Sequence, residues 1–207
     1  MTDHDLLDRW RNGDTDAGNV LFRRHFDALV RFFFGKVGVD VEDLVQATLL
    51  GCIEAQPRFR RECSFRTFLF AVARNTLLSY IRAKNARSFD PCVSSLHDLG
   101  TSPSGAVARL ESSTLLLAAL QRLPIDFQIA IELHYWEGLR AKELAIVLGI
   151  DPTTARTRLH RGRRALREAF EVLGADPAKA HEAQLKLQSG ADTRSPQTVS
   201  GPARPAR

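Results

Sequence analysis

Residues 139–170 read LRAKELAIVLGIDPTTARTRLHRGRRALREAF, and this stretch decides the fold. Ala141, Leu144, Ala145 and Leu148 recur at helical spacing, and Gly149 interrupts them. Asp151 followed by Pro152 then supplies an N-cap and a first-turn proline, so a second helix starts almost where the first stops. Two helices joined so tightly must cross, which is the outline of a helix-turn-helix with its second helix free to enter a DNA major groove. From Pro152 to Arg167 that helix carries Arg156, Arg158, Arg161, Arg163, Arg164 and Arg167 and no acid. Ala155, Leu159, Ala165 and Phe170 are left to seat it on its neighbour. A charge run alone describes a solvated helix face. The Gly, Asp, Pro turn and the small Ala145 facing it favour DNA binding instead.

The rest of the chain is consistent with a polyanion as partner. Its 207 residues suit two small domains, and 44% of them are hydrophobic, enough for two modest cores. The net charge is +5, but the charges are segregated. Residues 1–56 hold six basic and ten acidic side chains, and residues 57–87 hold eight and one. Residues 88–138 hold two and six, and residues 139–170 hold eight and three. Two basic blocks touching one polyanion in two places would produce this alternation, because each phosphate neutralised releases counterions.

Cys52, Cys63 and Cys92 are odd in number and never paired as CxxC, which excludes a disulfide framework and a structural zinc site. The acidic start MTDHDLLDRW does not resemble a signal peptide, and no apolar run reaches membrane-spanning length, so no membrane insertion and a cytoplasmic location are expected. No Walker A loop, GxGxxG or HExxH occurs, and the six histidines are scattered, so neither an enzyme, a metal site nor a cofactor is expected.

Taken in order, the pattern is all-α. A short helix capped by Asp3 turns Leu6, Leu7 and Trp10 inward, and a second from Asp14–Asp16 carries Leu21, Phe22, Phe26, Leu29, Val30 and Phe33 on one side. A third, about 41–55, buries Leu44, Val45, Thr48, Leu49, Cys52 and Ile53 and leaves Glu42, Asp43 and Gln46 outward until Pro57 stops it. The loop PRFRRECS (57–64) leads into a long helix from Phe65 to about Lys84, whose off-stripe faces carry Arg66, Thr67, Arg74, Asn75, Ser79, Arg82 and Lys84. Basic residues there supply phosphate affinity. Phe59 and Phe65 read either as ordinary core or as platforms for unpaired bases. Residues 86–105 lack periodicity and are rich in Ser, Pro, Gly and Asp, as a linker is. Helices over about 107–120 and 124–135 precede the opening motif. After Gly174 only a weak helix over 177–187 is expected in an otherwise disordered tail.

Four segments in this order and spacing resemble the bacterial RNA polymerase sigma factors, within them the small extracytoplasmic-function group of the sigma-70 family: VEDLVQATLL (41–50), RFRRECSFRTFLFAVARNTLLSYIR (58–82), ALQRLP (119–124) and RTRLHRGRRALRE (156–168). The resemblance implies two small helical domains joined by a flexible linker: a region 2 bundle at 1–85, a linker at 86–106, a region 4 helix-turn-helix at 107–174 and a tail at 175–207. It implies core RNA polymerase (beta-prime clamp and beta flap) and promoter DNA as partners, and an anti-sigma factor as the family's usual inhibitor, with the tail a second candidate for control.

By position, Asp43, Leu44, Gln46 and Leu49 match the helix that docks on the beta-prime clamp. Residues 58–67, with Arg58, Phe59, Arg60, Arg61, Ser64, Phe65 and Arg66, match the loop that captures a flipped base of the minus-ten element. Arg74, Asn75 and Arg82 match the helix that reads and melts that element. Thr153, Thr154, Arg156, Thr157 and Arg158, with Arg161 and Arg163 beyond them, match the helix that reads the minus-thirty-five duplex. The chain departs from the family at Ala47 and Leu49, where Glu and Phe are frequent, at Ile53, where Trp is common, and at Ser79, where Asp is. These departures point to altered polymerase docking and a divergent promoter preference. A stand-alone helix-turn-helix regulator would leave residues 41–84 unexplained, and a nucleic-acid-processing enzyme would need clustered carboxylates where these are dispersed.

Overall fold

The computed structural model describes residues 1–38, 40–59, 63–87 and 112–189. Among them the chain forms nine α-helices and no named strand. They are α1 (Asp3–Arg11), α2 (Thr15–Phe33), α3 (Val41–Ala55), α4 (Phe65–Arg87), α5 (Ser112–Gln121), α6 (Ile125–Tyr135), α7 (Ala141–Leu148), α8 (Pro152–Val172) and α9 (Pro177–Gln188).

Local chemistry sets the ends of most helices. Thr2, not Asp3, caps α1, its hydroxyl accepting from Asp5 N at 3.2 Å while Asp5 Oδ2 accepts from Thr2 N at 2.7 Å. Asp3 is thereby released to pair with Arg24 at 2.5 Å and His25 at 2.7 Å, stapling α1 to α2. Asp14 caps α2 through Ala17 N at 3.0 Å, and Ser64 caps α4, its Oγ accepting from Thr67 N at 3.1 Å.

The N-terminal unit, α1–α4, is built around Leu6, Leu7, Leu21, Leu29, Phe33, Val45, Cys52, Leu69 and Leu77, all at most 1% exposed. Two expectations for this unit are overturned. Phe26, assigned to the inner side of α2, is 44% exposed, and Ile53, assigned to the inner side of α3, is 50% exposed. Each sits next to a buried residue, His25 and Cys52, at the edge of its helix's inward stripe. Burial pushes the Cys52 thiol up to about 12, so it remains an apolar core group at neutral pH.

In the C-terminal unit, α6 and α7 pack on α8, and α5 lies across α8. Residues 107–111, expected to begin α5, lie outside the described residues. Residues 190–207 of the tail lie outside the described residues, and the weak helix expected over 177–187 is α9, which packs on α5. Asp176 caps it through Ala178 N at 2.8 Å, and Ala183 and Leu187 are buried in the cluster formed by Leu115, Leu116, Ala119 and Phe170. Ser112 Oγ donates to Glu182 at 2.8 Å across the same contact.

The two expected units are present and pack on each other through α4 and α7, and residues 88–106 of the linker expected between them lie outside the described residues. Helix α7 lies along α4, and one apolar cluster runs from Leu29 and Phe33 through Phe70, Ala73 and Leu77 to Leu133, Leu144 and Leu148. This accounts for the composition of α4. Phe70 and Thr67 are fully buried although they lie off its expected apolar stripe, because the helix is covered on a second side. Burying a phenylalanine contributes about 1.5–3 kcal/mol to that contact.

Candidate nucleic-acid interface

The turn between α7 and α8 adopts the geometry that the sequence demands. Gly149 closes α7 in the left-handed region at φ +64°, and Asp151 Oδ1 accepts from the amides of Thr153 and Thr154, both at 2.9 Å. The Thr154 hydroxyl also donates to Asp151. That bond, with the two amides, holds the Asp151 carboxyl below the usual carboxylate range.

Ala155 and Leu159 face the protein, so Thr153, Thr154, Arg156, Thr157, His160 and Arg161 face solvent on the first turns of α8. Arg158 is half-buried and bound to Asp126 of α6 at 3.1 Å. Arg163 departs from its expected place in this set. Its guanidinium lies 5.5 Å above the Tyr135 ring and within 3.5 Å of His134 Nε2, on the side where α8 meets α6. Gly162 makes that approach close, since a Cβ there would stand 3.2 Å from Ile131 Cδ1.

The second basic surface belongs to α4. Arg60 and Arg61 lie outside the described residues, and Arg58 sits in the 3₁₀ turn Gln56–Arg58 that follows α3. Phe59 and Phe65 are core residues here, 7% and 2% exposed. Phe59 stacks on Phe68 at 4.5 Å, and Phe65 is ringed by Trp10, Phe22, His25 and Phe68 at 5.7–6.4 Å. Neither ring is presented to a base. Ser64 is exposed but its hydroxyl caps α4. Asn75, Ser79 and Arg82 are exposed along the helix. Arg66 and Arg74 are engaged by carboxylates of the C-terminal unit, Arg66 by Glu137 at 2.6 Å and Arg74 by Asp126 at 3.3 Å.

The third surface is the outer side of α3. Asp43 and Gln46 are exposed as expected, Leu49 is half-buried, and Leu44 is a core residue at 7% exposure. The apolar side chains that face outward are Leu50, 57% exposed, and Ile53. Sequence reasoning missed Leu50, although Asp43, Gln46, Leu50 and Ile53 follow helical spacing and share one face. Gly51 sets how closely α3 lies on α4, with Val72 Cγ1 3.1 Å from where its Cβ would be.

These surfaces coincide with known family regions. Residues 21–87 match the model of sigma-70 region 2, and residues 113–166 match that of sigma-70 region 4. The RNA polymerase sigma factor CarQ of Myxococcus xanthus is 34% identical over 177 residues, which cover 84% of this chain and the whole of CarQ. The chain belongs to the extracytoplasmic-function sigma factors.

The sigma-E factor of Escherichia coli K12 is 27% identical over 184 residues, 84% of this chain and 96% of that protein. Among solved structures, CnrH bound to the cytosolic domain of CnrY matches with a TM-score of 0.59 at 22% identity, over 82% of this chain and 97% of that one. RpoE of Bartonella quintana bound to the anti-sigma factor NepR matches with a TM-score of 0.57 at 24% identity, over 73% and 94%. Both share the fold. As a sigma factor, the protein directs core RNA polymerase to promoters, in place of the stand-alone regulator reading. Sigma factors are initiation factors, and RNA synthesis is the polymerase's own chemistry. The region 4 match ends at residue 166, before α9. No described helix is long and apolar enough to cross a membrane.

Proposed function

We propose that this sigma factor reads the minus-thirty-five element as duplex with Thr153, Thr154, Arg156, Thr157 and Arg161 of α8. The observation that carries this reading is the outward face of the first turns of α8, where two arginines and three threonines are exposed around a helix N-terminus whose Asp151 cap is tied up by its own turn. Exposed threonine and arginine side chains bind phosphate, and arginine reads guanine in a bidentate pair worth about 1–3 kcal/mol.

The minus-ten element is then held unpaired along Arg66, Arg74, Asn75 and Arg82 of α4, with Arg58, Arg60 and Arg61 adding phosphate contacts. Unpairing costs a few kcal/mol per base, which phosphate and base contacts offset. Asp43, Gln46, Leu50 and Ile53 form the polymerase-docking face of α3, opposite the beta-prime clamp, and the C-terminal unit contacts the beta flap. The factor works in the cytoplasm with the polymerase. An anti-sigma factor restrains it, a reading supported by the anti-sigma factor bound to RpoE among the proteins of the same fold.

The test is run-off transcription with core polymerase on genomic fragments. Defined start sites are expected with the wild type, and loss of them with Arg156→Ala at unchanged polymerase binding. Equal initiation by Arg156→Ala at every site would overturn the role given to α8. No initiation by the wild type at any site would overturn the whole reading.

A further inference from the structure

Phe65 opens α4 directly before Arg66 and just after the Ser64 cap. Its ring is 2% exposed and is held by side chains of two other helices. Trp10 of α1 meets it edge-on at 6.4 Å, and Phe22 and His25 of α2 lie 6.1 and 5.7 Å away. Phe68, one turn on, lies at 6.2 Å and stacks in turn on Phe59, so the chain on either side of residues 60–62 is fastened to one aromatic group.

His25 brings a directional bond into this group. It is 8% exposed, and its Nε2 donates to Asp3 Oδ2 of α1 at 2.7 Å. The other Asp3 oxygen accepts from Arg24 at 2.5 Å, so one carboxylate grips two successive residues of α2, one exposed and one buried. The bond to Asp3 fixes the plane of the imidazole, and that plane sets its 48° tilt against Phe65. A leucine could fill the same space, whereas a buried imidazole costs free energy that its hydrogen bond must offset. The residue type therefore adds orientation rather than stability.

We propose that His25 is a positioning residue for promoter melting. Bonded to Asp3 and packed on Phe65, it fixes the first turn of α4 and so the place at which Arg66 meets the unpaired minus-ten strand. Helix α1, which carries none of the residues assigned to DNA or polymerase, contributes to melting through this contact and through Trp10. The effect falls on opening of the duplex and not on first encounter with it. A group held in place captures a base as it leaves the stack, and a loosely held one lets the pair close again.

Stability separates this role from plain core packing. Removing the imidazole leaves Asp3 with Arg24 and with water, since its side chain is 30% exposed, so no buried charge is stranded. His25→Leu is therefore expected to unfold at the wild-type midpoint or above it and still to open promoters more slowly.

This inference rests on the assignment of α4 to the minus-ten element, and its test separates the two. Holoenzymes of core polymerase with full-length wild type, His25→Leu, Asp3→Ala or the double variant are compared on one promoter fragment. The fragment comes from a start site of the run-off assay and carries a fluorescent adenine analogue in its minus-ten element. Closed-complex affinity is measured in the cold, the opening rate from the rise in fluorescence, and the unfolding midpoint by chemical denaturation. His25→Leu is expected to keep its affinity and midpoint and to open about ten-fold more slowly. Asp3→Ala, which leaves the aromatic group filled, is expected to slow opening as well. The double variant should open no more slowly than His25→Leu alone, because both changes break one bond.

Opening at the wild-type rate in His25→Leu, or in Asp3→Ala should His25→Leu not fold, would overturn the proposal. So would slower opening that comes with an equal loss of closed-complex affinity or with a lowered midpoint, and so would additive slowing in the double variant. A wild type that opens no promoter would overturn the assignment of α4 and this inference with it, whereas normal opening by wild type and variants alike removes only the positioning role.

Discussion

Lys36, in the turn after α2, and Glu132, in the middle of α6, form an ion pair closed to water on both sides, their side chains 0% and 3% exposed. Gln128 donates to the other carboxylate oxygen at 2.9 Å, and the Lys36 ammonium lies 4.6 Å from the Phe32 ring centroid. A pair desolvated this completely adds less than its Coulomb attraction suggests, but removing one partner strands a buried charge. Glu132→Ala is expected to destabilise the protein by about 3–5 kcal/mol in chemical denaturation. The double replacement Lys36→Met/Glu132→Leu should recover most of that loss. A single variant as stable as the double would show that the stranded charge is not what destabilises it.

At the crossing of α6 and α8, Gly162 trades helix propensity against space. An alanine there gains about 1 kcal/mol of helix propensity and must displace Ile131 Cδ1, which would lie 3.2 Å away. The two effects nearly cancel, so Gly162→Ala should change stability little. Gly162→Val overfills the crossing and is expected to cost about 1–3 kcal/mol, read as a lower unfolding midpoint. A valine variant at wild-type stability would mean that the crossing is loose.

Trp10 lies against Gly18 of α2, and a Cβ at that glycine would stand 2.6 Å from Trp10 Cδ1. The indole also sits edge-on to Phe22 at 5.1 Å. Gly18→Ala should therefore push the ring out of its place, lowering stability by about 1–3 kcal/mol and shifting tryptophan emission to longer wavelength. Unchanged emission in Gly18→Ala would rule out this packing. With only two tryptophans in the chain, Trp10→Phe identifies which one moved.

Asp151 and Asp14 cap helices and Asp5 closes the capping box on Thr2, and all three carboxyls are held below the usual range. For Asp151 the leading cause is the Thr154 hydroxyl, for Asp14 the Ala17 amide and for Asp5 the Thr2 amide. A depressed folded value means that the contribution is fully present above the unfolded carboxylate value of about 3.9 and is lost as pH falls through the folded one. Stability should be flat in these groups near neutrality and should decline below about pH 4. Asp151→Asn retains a capping side chain but cannot titrate, so its acid decline should be shallower than that of the wild type. Superimposable acid unfolding curves would exclude Asp151 as a contributor.

On α3, Leu50 and Ile53 are the exposed apolar groups beside Asp43 and Gln46. Leu50→Asp and Ile53→Asp should weaken association with core polymerase by about ten-fold or more, the loss typical of a well-packed interface residue, while leaving the unfolding midpoint within error. Leu44→Asp should instead unfold the N-terminal unit, because Leu44 is interior. Polymerase binding that tolerates Leu50→Asp and Ile53→Asp together would remove this face from the interface.

What sequence alone determined is local: helix ends, where one or two residues decide the outcome. The Gly149, Asp151, Pro152 turn was legible because a left-handed glycine, a capping carboxylate and a first-turn proline each carry their conformation with them. The exposed Thr and Arg face of α8 followed from periodicity once that start was known. Tertiary structure decided which of two plausible faces is covered. Phe59 and Phe65 could have faced a base or the core, and aromatic packing with Trp10, Phe22 and Phe68 placed them in the core. Leu44 is interior, as its place on the inward stripe of α3 requires, whereas Leu50 faces out beside Gln46, because a shift of a few positions around a helix is enough to turn a side chain from the core to solvent. The alternation of basic and acidic blocks was visible from the start, but charge acts through space and composition lies along the chain. Only the folding of α6 against α2 and α4 brought Asp126, Glu132 and Glu137 onto Arg74, Lys36 and Arg66.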